Sequence, residues 1–139
     1  MTDVVSDPEA VEVESAAATH CLCESYARTT ERAALAGARW LGRADEVAAQ
    51  EAAASGMREE LELLPISGQV VIGAAGEGEL LQAGVEVGSG GERVDLAVDP
   101  LGGSGIVARG SSGAMSMIAS GEPGSLQTLP DMYMRKVAV

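Results

Sequence analysis

Glycine splits this chain into two unlike parts. Of its 18 glycines, 15 lie at or after Gly68, and only Gly37, Gly42 and Gly56 come earlier. Glycine weakens an element interior but supplies the left-handed backbone that tight turns need. The first part can therefore sustain long helices, while the second must consist of short strands joined by turns. A chain of 139 residues is long enough for one buried core. That core cannot rest on aromatic bulk, because Phe is absent and the aromatics are Trp 1 and Tyr 2. Val, Ile, Leu, Met and Ala must fill it, with close approach through Gly and Ala.

The first part reads as helix. Residues 19–41 place Leu22, Tyr26, Ala33, Gly37, Trp40 and Leu41 near one face at helical spacing. Gly37 on that face would admit another backbone, and Gly42 would stop the helix. Asp45 is the expected cap of a second helix running to about Leu64, with Val47, Ala54, Met57, Leu61 and Leu64 as its stripe. Gln50 falls on the same stripe, where an amide needs a partner. Pro65 and Gly68 end the element. Ahead of both helices, residues 1–17 read as a disordered acidic tail, because Asp3, Asp7, Glu9, Glu12 and Glu14 repel one another. Residues 18–139 are expected to form a single domain.

The second part reads as strands at Gln69–Gly73, Gly84–Gly88, Arg93–Val98, Met115–Ala119 and Met132–Val139. Glycine clusters at 76–78, 88–91, 102–105 and 121–124 supply the turns. The expected fold class is α+β: two N-terminal helices packed on one face of a mostly antiparallel five-stranded sheet.

Charge narrows the partners. Lys+Arg is 9 and Asp+Glu is 21, a net charge of −12. Such a chain, with few aromatics, lacks the attraction and the stacking platform of a nucleic-acid binder. It is also repelled by an anionic membrane surface, and no apolar run approaches the length of a bilayer span. Met1–Ser15 carries five acids and no base, the reverse of a signal peptide, so a cytoplasmic location is expected. Cys21 and Cys23 point about 200° apart on a helix and cannot form one metal face. His20 has no triad context and reads as a surface residue. The Gly88–Gly91 turn precedes no helix, so it reads as turn chemistry rather than a phosphate loop.

Several segments taken together resemble the class II fructose-1,6-bisphosphatase family of the lithium-sensitive phosphatase superfamily. They are Thr30–Arg43 (TERAALAGARWLGR), Val70–Gly73 (VVIG), Gly76–Glu79 (GEGE), Val87–Gly90 (VGSG), Val94–Pro100 (VDLAVDP) and Pro130–Met134 (PDMYM). They stand in the family's order with near-family spacing over about residues 28–139. The resemblance implies the N-terminal half of a layered sugar-phosphatase fold. It also implies phosphate monoester hydrolysis by carboxylate-held Mg²⁺ or Mn²⁺, which polarise the phosphoryl group and generate a hydroxide nucleophile.

The implied ligands can be checked by position. The family's first aspartate falls on Gln50, an amide without charge. Its glutamate falls on Glu77 or, in a second register, on Ala74. The D-P-x-[D/E]-G-T loop is here Asp99-Pro100-Leu101-Gly102-Gly103-Ser104. Asp99 matches the bridging ligand, Gly103 the phosphate-approaching glycine, and Ser104 the hydroxyl that orients a water. Gly102 replaces the acidic residue, and the whole is read as a glycine-rich turn with the makings of a small anion nest. Tyr133 matches the family's substrate-contacting tyrosine, flanked by Met132 and Met134.

With Gln50 and Gly102 in place of two acids, and the family's second half not represented in this sequence, metal-assisted hydrolysis is not expected. No cofactor is expected either, save Mg²⁺ or Mn²⁺ on Asp99 and Glu77 if the family site persists. The reading is a repurposed protein that binds or converts a small organic molecule, of metal-independent cyclase or isomerase type. Asp99, Ser104 and Glu77 are its candidate catalytic groups, and Tyr133, Gly103, Met132 and Met134 its candidate substrate contacts. Met115 and Met117 join those methionines in an adaptable wall. The alternative is a non-catalytic partner of another enzyme, and residual phosphatase activity ranks third. An uncovered sheet is expected to be closed by homo-oligomerisation.

Overall fold

Where glycine is scarce, two helices form. The structure, a computed structural model, describes residues 22–73, 79–130, 135 and 137. The acidic tail, His20, Cys21, Ala74 and Glu77 lie outside these described residues, as does the strand expected at Met132–Val139 except for Arg135 and Val137, which are not in a strand.

Helix α1 spans Leu22–Ala38 and α2 spans Glu46–Leu61. Asp45 caps α2 as expected, its carboxylate accepting the Ala48 N–H at 2.9 Å. Two helix expectations need correction. Gly42 does not end α1, which stops at Ala38. Instead, at φ 71°, Gly42 turns the chain so that its N–H and that of Ala44 donate to the carbonyls of Val107 and Ala108, both at 2.9 Å. This leaves Leu41 exposed rather than in the core. On α2 the buried row is Ala49, Ala53, Met57 and Leu61, and Val47 is 60% exposed. The row repeats every four residues, and Val47 lies off it.

The helices meet through glycine, though chiefly at a position other than the one expected. A Cβ added at Gly37 would touch the Leu101 side chain at 3.3 Å, whereas one at Gly56 would lie 2.9 Å from the Arg32 carbonyl oxygen of α1. Gly56 is thus the site of backbone contact.

The sheet comprises β1 (Ile66–Ile72), β2 (Glu86–Val87), β3 (Glu92–Gly102) and β4 (Met115–Gly121), in the order β2-β1-β3-β4. Four expected strands are therefore present, and a single 3₁₀ turn at Glu79–Leu81 precedes β2. The outer pairs are antiparallel, but β1 and β3 run parallel. The chain reaches this arrangement by passing residues 88–91 beneath the start of β1. There the Gly90 N–H donates to the Ile66 carbonyl at 3.0 Å. A Cβ at Gly88 or Gly91 would strike the Ile66 or Pro65 carbonyl, so the crossing demands glycine at both.

Both helices pack on β3, and α1 also packs on β4. Met57, Leu61, Ile66, Val70 and Leu96 form the fully buried centre between the layers. The other sheet face carries exposed apolar groups: Ile72 (41%), Met115 (59%) and Met117 (45%). Among the described residues, no helix is long and apolar enough to cross a membrane.

Candidate functional site

Strand β3 delivers the site. Along it Leu96 and Val98 point into the core, so the alternation of a strand turns Ala97 and Asp99 to the opposite face. Asp99 is half-buried and stands across from Met117 of β4. The segment Asp99–Ser104 is not the turn expected from sequence. Asp99 to Gly102 continue β3, and Ser104 opens a five-residue helix, α3 (Ser104–Ala108). Pro100 is tolerated in this interior strand because the β3–β4 register shifts between Asp99 and Gly102.

Gly102 sits directly beside the Asp99 carboxylate. A Cβ built there would lie 2.8 Å from Asp99 Oδ2. An acid at this position would put two carboxylates together, and glycine leaves Asp99 without that neighbour. Gly103 is exposed with φ 98°, a left-handed conformation that glycine adopts without strain. The helix it opens is too short to gather a sizeable dipole.

Ser104 already has a partner for its proton. Its hydroxyl donates to Glu46 Oε1 at 3.0 Å, tying α3 to the first turn of α2. Glu46 is a site residue that sequence reasoning missed. Its signal was its place immediately after the Asp45 cap, where a carboxylate favours the helix N-terminus. Gly105 leaves the room: a Cβ there would come within 3.3 Å of Glu46 Oε2 and 3.4 Å of Arg109 Nη1. Gln50 lies one turn further along α2 and is half-buried.

Among the described residues, the family's ligand positions offer one carboxylate, Asp99, and Glu77 lies outside them. Mg²⁺ and Mn²⁺ want several charged oxygens in near-octahedral array. Gln50 brings an amide, Gly102 brings no side chain, and the Ser104 hydroxyl is engaged as a donor to Glu46. Among the described residues, no group of three or more His, Cys, Asp or Glu is placed to hold a metal ion.

Of the methionines expected to wall a cavity at an oligomer interface, the described ones, Met115 and Met117, border different hollows of the single chain. Met117 and Asp99 line part of an open groove of about 700 Å³ that runs from α1 round the β3–β4 edge. Met115 borders a separate one of about 390 Å³, shared with Leu41, Leu101 and Val107. Tyr133, Met132 and Met134 lie outside the described residues. Two further residues along the larger groove escaped sequence reasoning as site residues, Tyr26 of α1 and Ser116 of β4. Tyr26 reads as a core residue from spacing alone, and Ser116 carries no motif.

The family model for bacterial fructose-1,6-bisphosphatase, glpX-encoded, matches residues 20–139. This chain belongs to that family. Among its relatives, the class 2 fructose-1,6-bisphosphatase of Haemophilus influenzae is 44% identical over 121 residues, which is 85% of this chain and 36% of the relative. Fructose-1,6-bisphosphatase 1 class 2 of Escherichia coli is 43% identical over the same shares. A D-fructose 1,6-bisphosphatase class 2/sedoheptulose 1,7-bisphosphatase of Synechococcus is 39% identical over 123 residues, 78% of this chain and 35% of the relative. The chain thus spans about 36% of the length of the first two relatives. Against the resemblance drawn from motifs, the family assignment stands.

Proposed function

We propose that this chain is a cytoplasmic, metal-independent member of its family that binds or converts a small organic molecule in place of hydrolysing a sugar phosphate. The observation that carries this reading is Gly102. It stands where a side chain would meet the Asp99 carboxylate, and it supplies no second charge. With Gln50 also neutral, the pair of acids that would balance a dication is missing. Asp99 keeps a carboxylate between Ala97 of its own strand and Met117 opposite, a group suited to taking or giving a proton on a bound organic molecule. Two measurements test the reading: calorimetric titration with Mg²⁺ and Mn²⁺ to millimolar concentration, and phosphate release from fructose 1,6-bisphosphate. The expected result is no binding heat and no phosphate. Saturable metal binding accompanied by phosphate release would overturn it.

A second reading rests on the open sheet face. Ile72, Met115 and Met117 together expose more apolar surface than scattered single residues do. A covering polypeptide would remove it from water, and a second copy of this chain is the occupant proposed first, a docked enzyme the other. Light scattering should report twice the 14.1 kDa monomer mass. A clean monomer across micromolar concentrations removes the self-association proposal.

A further inference from the structure

In a chain of net charge −12, the outer side of α1 carries a row of cations. Arg28, Arg32 and Arg39 are spaced for one helix face. Arg43 follows just beyond the helix, its guanidinium 5.6 Å from the centre of the Trp40 ring. The near end of this row is neutralised. Arg28 pairs with Glu24 at 3.2 Å, and Arg32 faces Glu59 and Glu60 at 3.7 and 3.9 Å. The far end is not. Arg39 and Arg43 are exposed, and neither has a carboxylate within ion-pair distance among the described residues. Other cations stand among acids: Arg58 pairs with Glu62, and Arg93 shares its surroundings with Glu62, Glu86 and Asp95.

The unpaired arginines border a defined place. Arg32, Arg39 and Arg43 line an open hollow of about 530 Å³ between α1 and α2, together with Leu35 and Trp40. Glu59 is the acid among the described residues that line it, and it already faces Arg32. Leu35 is 65% exposed. An occupant of this hollow should bring several carboxylates and some apolar side chains between them.

The chain itself carries such a segment. Residues 3–14 read DVVSDPEAVEVE, in which Asp3, Asp7, Glu9, Glu12 and Glu14 alternate with valines. Residues 15–21, SAAATHC, contain no Asp, Glu, Lys or Arg. We propose that residues 3–14 dock in this hollow of their own chain, with carboxylates on Arg39 and Arg43 and valines against Leu35 and Trp40. The length suffices. At a rise of about 1.5 Å per residue, Arg39 lies about 26 Å along α1 from Leu22. Eight extended residues from Leu22 back to Glu14 span about 27 Å, and Glu12, Glu9 and Asp7 have chain to spare. The uncharged stretch then passes Arg28 and Arg32, which have their partners, and the acids begin where the unpaired arginines stand. Each exposed pair is weak, so the attachment depends on several pairs and on the tether, which holds the segment at about millimolar effective concentration. Docked there, it keeps acidic stretches of other proteins off the hollow.

Trp40 is the chain's single tryptophan, so its indole N–H resonance reports on the hollow directly. The test compares the full chain with a full-length variant carrying Asp3→Asn, Asp7→Asn, Glu9→Gln, Glu12→Gln and Glu14→Gln. At low salt the Trp40 indole and the Arg39 and Arg43 amides should differ in chemical shift between the two. That difference should fall at least about fivefold near 1 M NaCl, where the screening length shrinks to about 3 Å. Arg39→Gln with Arg43→Gln should abolish the difference and leave Tm nearly unchanged, since both side chains are exposed. Identical low-salt spectra would overturn the proposal, as would a difference that salt does not reduce. Differences centred on Arg93 or Arg109, away from the hollow, would place the segment elsewhere and overturn it too. Differences that grow with protein concentration would assign the hollow to another copy's segment and overturn docking within one chain.

Discussion

Alanine at Gly56 should destabilise the protein, although helix propensity says otherwise. Gly56 lies inside α2, where Gly→Ala ordinarily gains about 1 kcal/mol. Here the new Cβ would sit 2.9 Å from the Arg32 carbonyl oxygen and 3.0 Å from Ala36 Cβ. The carbonyl is backbone of α1 and cannot rotate away. Ordinary contact begins at 3.4 Å, so the helices must part by about 0.5 Å. Overpacking of this kind costs about 1–3 kcal/mol. Overpacking outweighs propensity by about 1 kcal/mol, a fall in Tm of about 4 °C for a domain of this size. Gly37→Ala is the matched control. Its Cβ would meet the Leu101 methyl carbons at 3.3 and 3.4 Å, which can turn aside, and Ala53 Cβ at an ordinary 3.5 Å. That variant should be neutral or up to about 1 kcal/mol more stable. Urea and thermal denaturation of both, followed by circular dichroism, decide the matter. Equal or greater stability of Gly56→Ala would refute the packing argument, as would shifts of the same sign in both variants.

Three further outcomes are expected. Asp95→Ala should cost about 1–3 kcal/mol, since the buried carboxylate accepts the Gly124 N–H at 2.7 Å, and hydrogen exchange at Gly124 should quicken. Glu46→Ala and Ser104→Ala should show a coupling of about 0.5–1.5 kcal/mol in a double-mutant denaturation cycle, and zero coupling would mean that their hydrogen bond does not hold α3 to α2. The double variant Gln50→Asp with Gly102→Glu should gain Mn²⁺ binding in calorimetric titration that the parent chain lacks. Equal binding by both chains would show that the two substitutions are not what changed the site.

The layered α+β plan was legible because it rests on local chemistry. The split in glycine usage marked helices from strands, Asp45 announced its cap, and the crossing at Gly88–Gly91 announced a turn. Motif order was equally legible, and it carried the family and the positions of Asp99, Gly102 and Ser104. Errors arose where a residue's role depends on what another element brings to it. Val47 matched an apolar stripe, yet the buried row of α2 is chosen by the face that α1 and β3 cover. Gly37 and Gly56 are alike as letters, and only the crossing of two helices makes one of them a backbone contact.

The same distinction governs the site. Side-chain identity alone sets what positions 50 and 102 can offer, because no fold can give an amide or a hydrogen atom the charge of a carboxylate. Only the packed chain commits the Ser104 hydroxyl to Glu46, 58 residues away, and separates Met115 from Met117 into different cavities. Only the packed chain withdraws the Tyr26 and Ser116 hydroxyls from solvent with no partner among the described residues. Local rules follow from neighbours along the backbone, whereas hydrogen-bond satisfaction is a property of everything that surrounds an atom once the layers have closed.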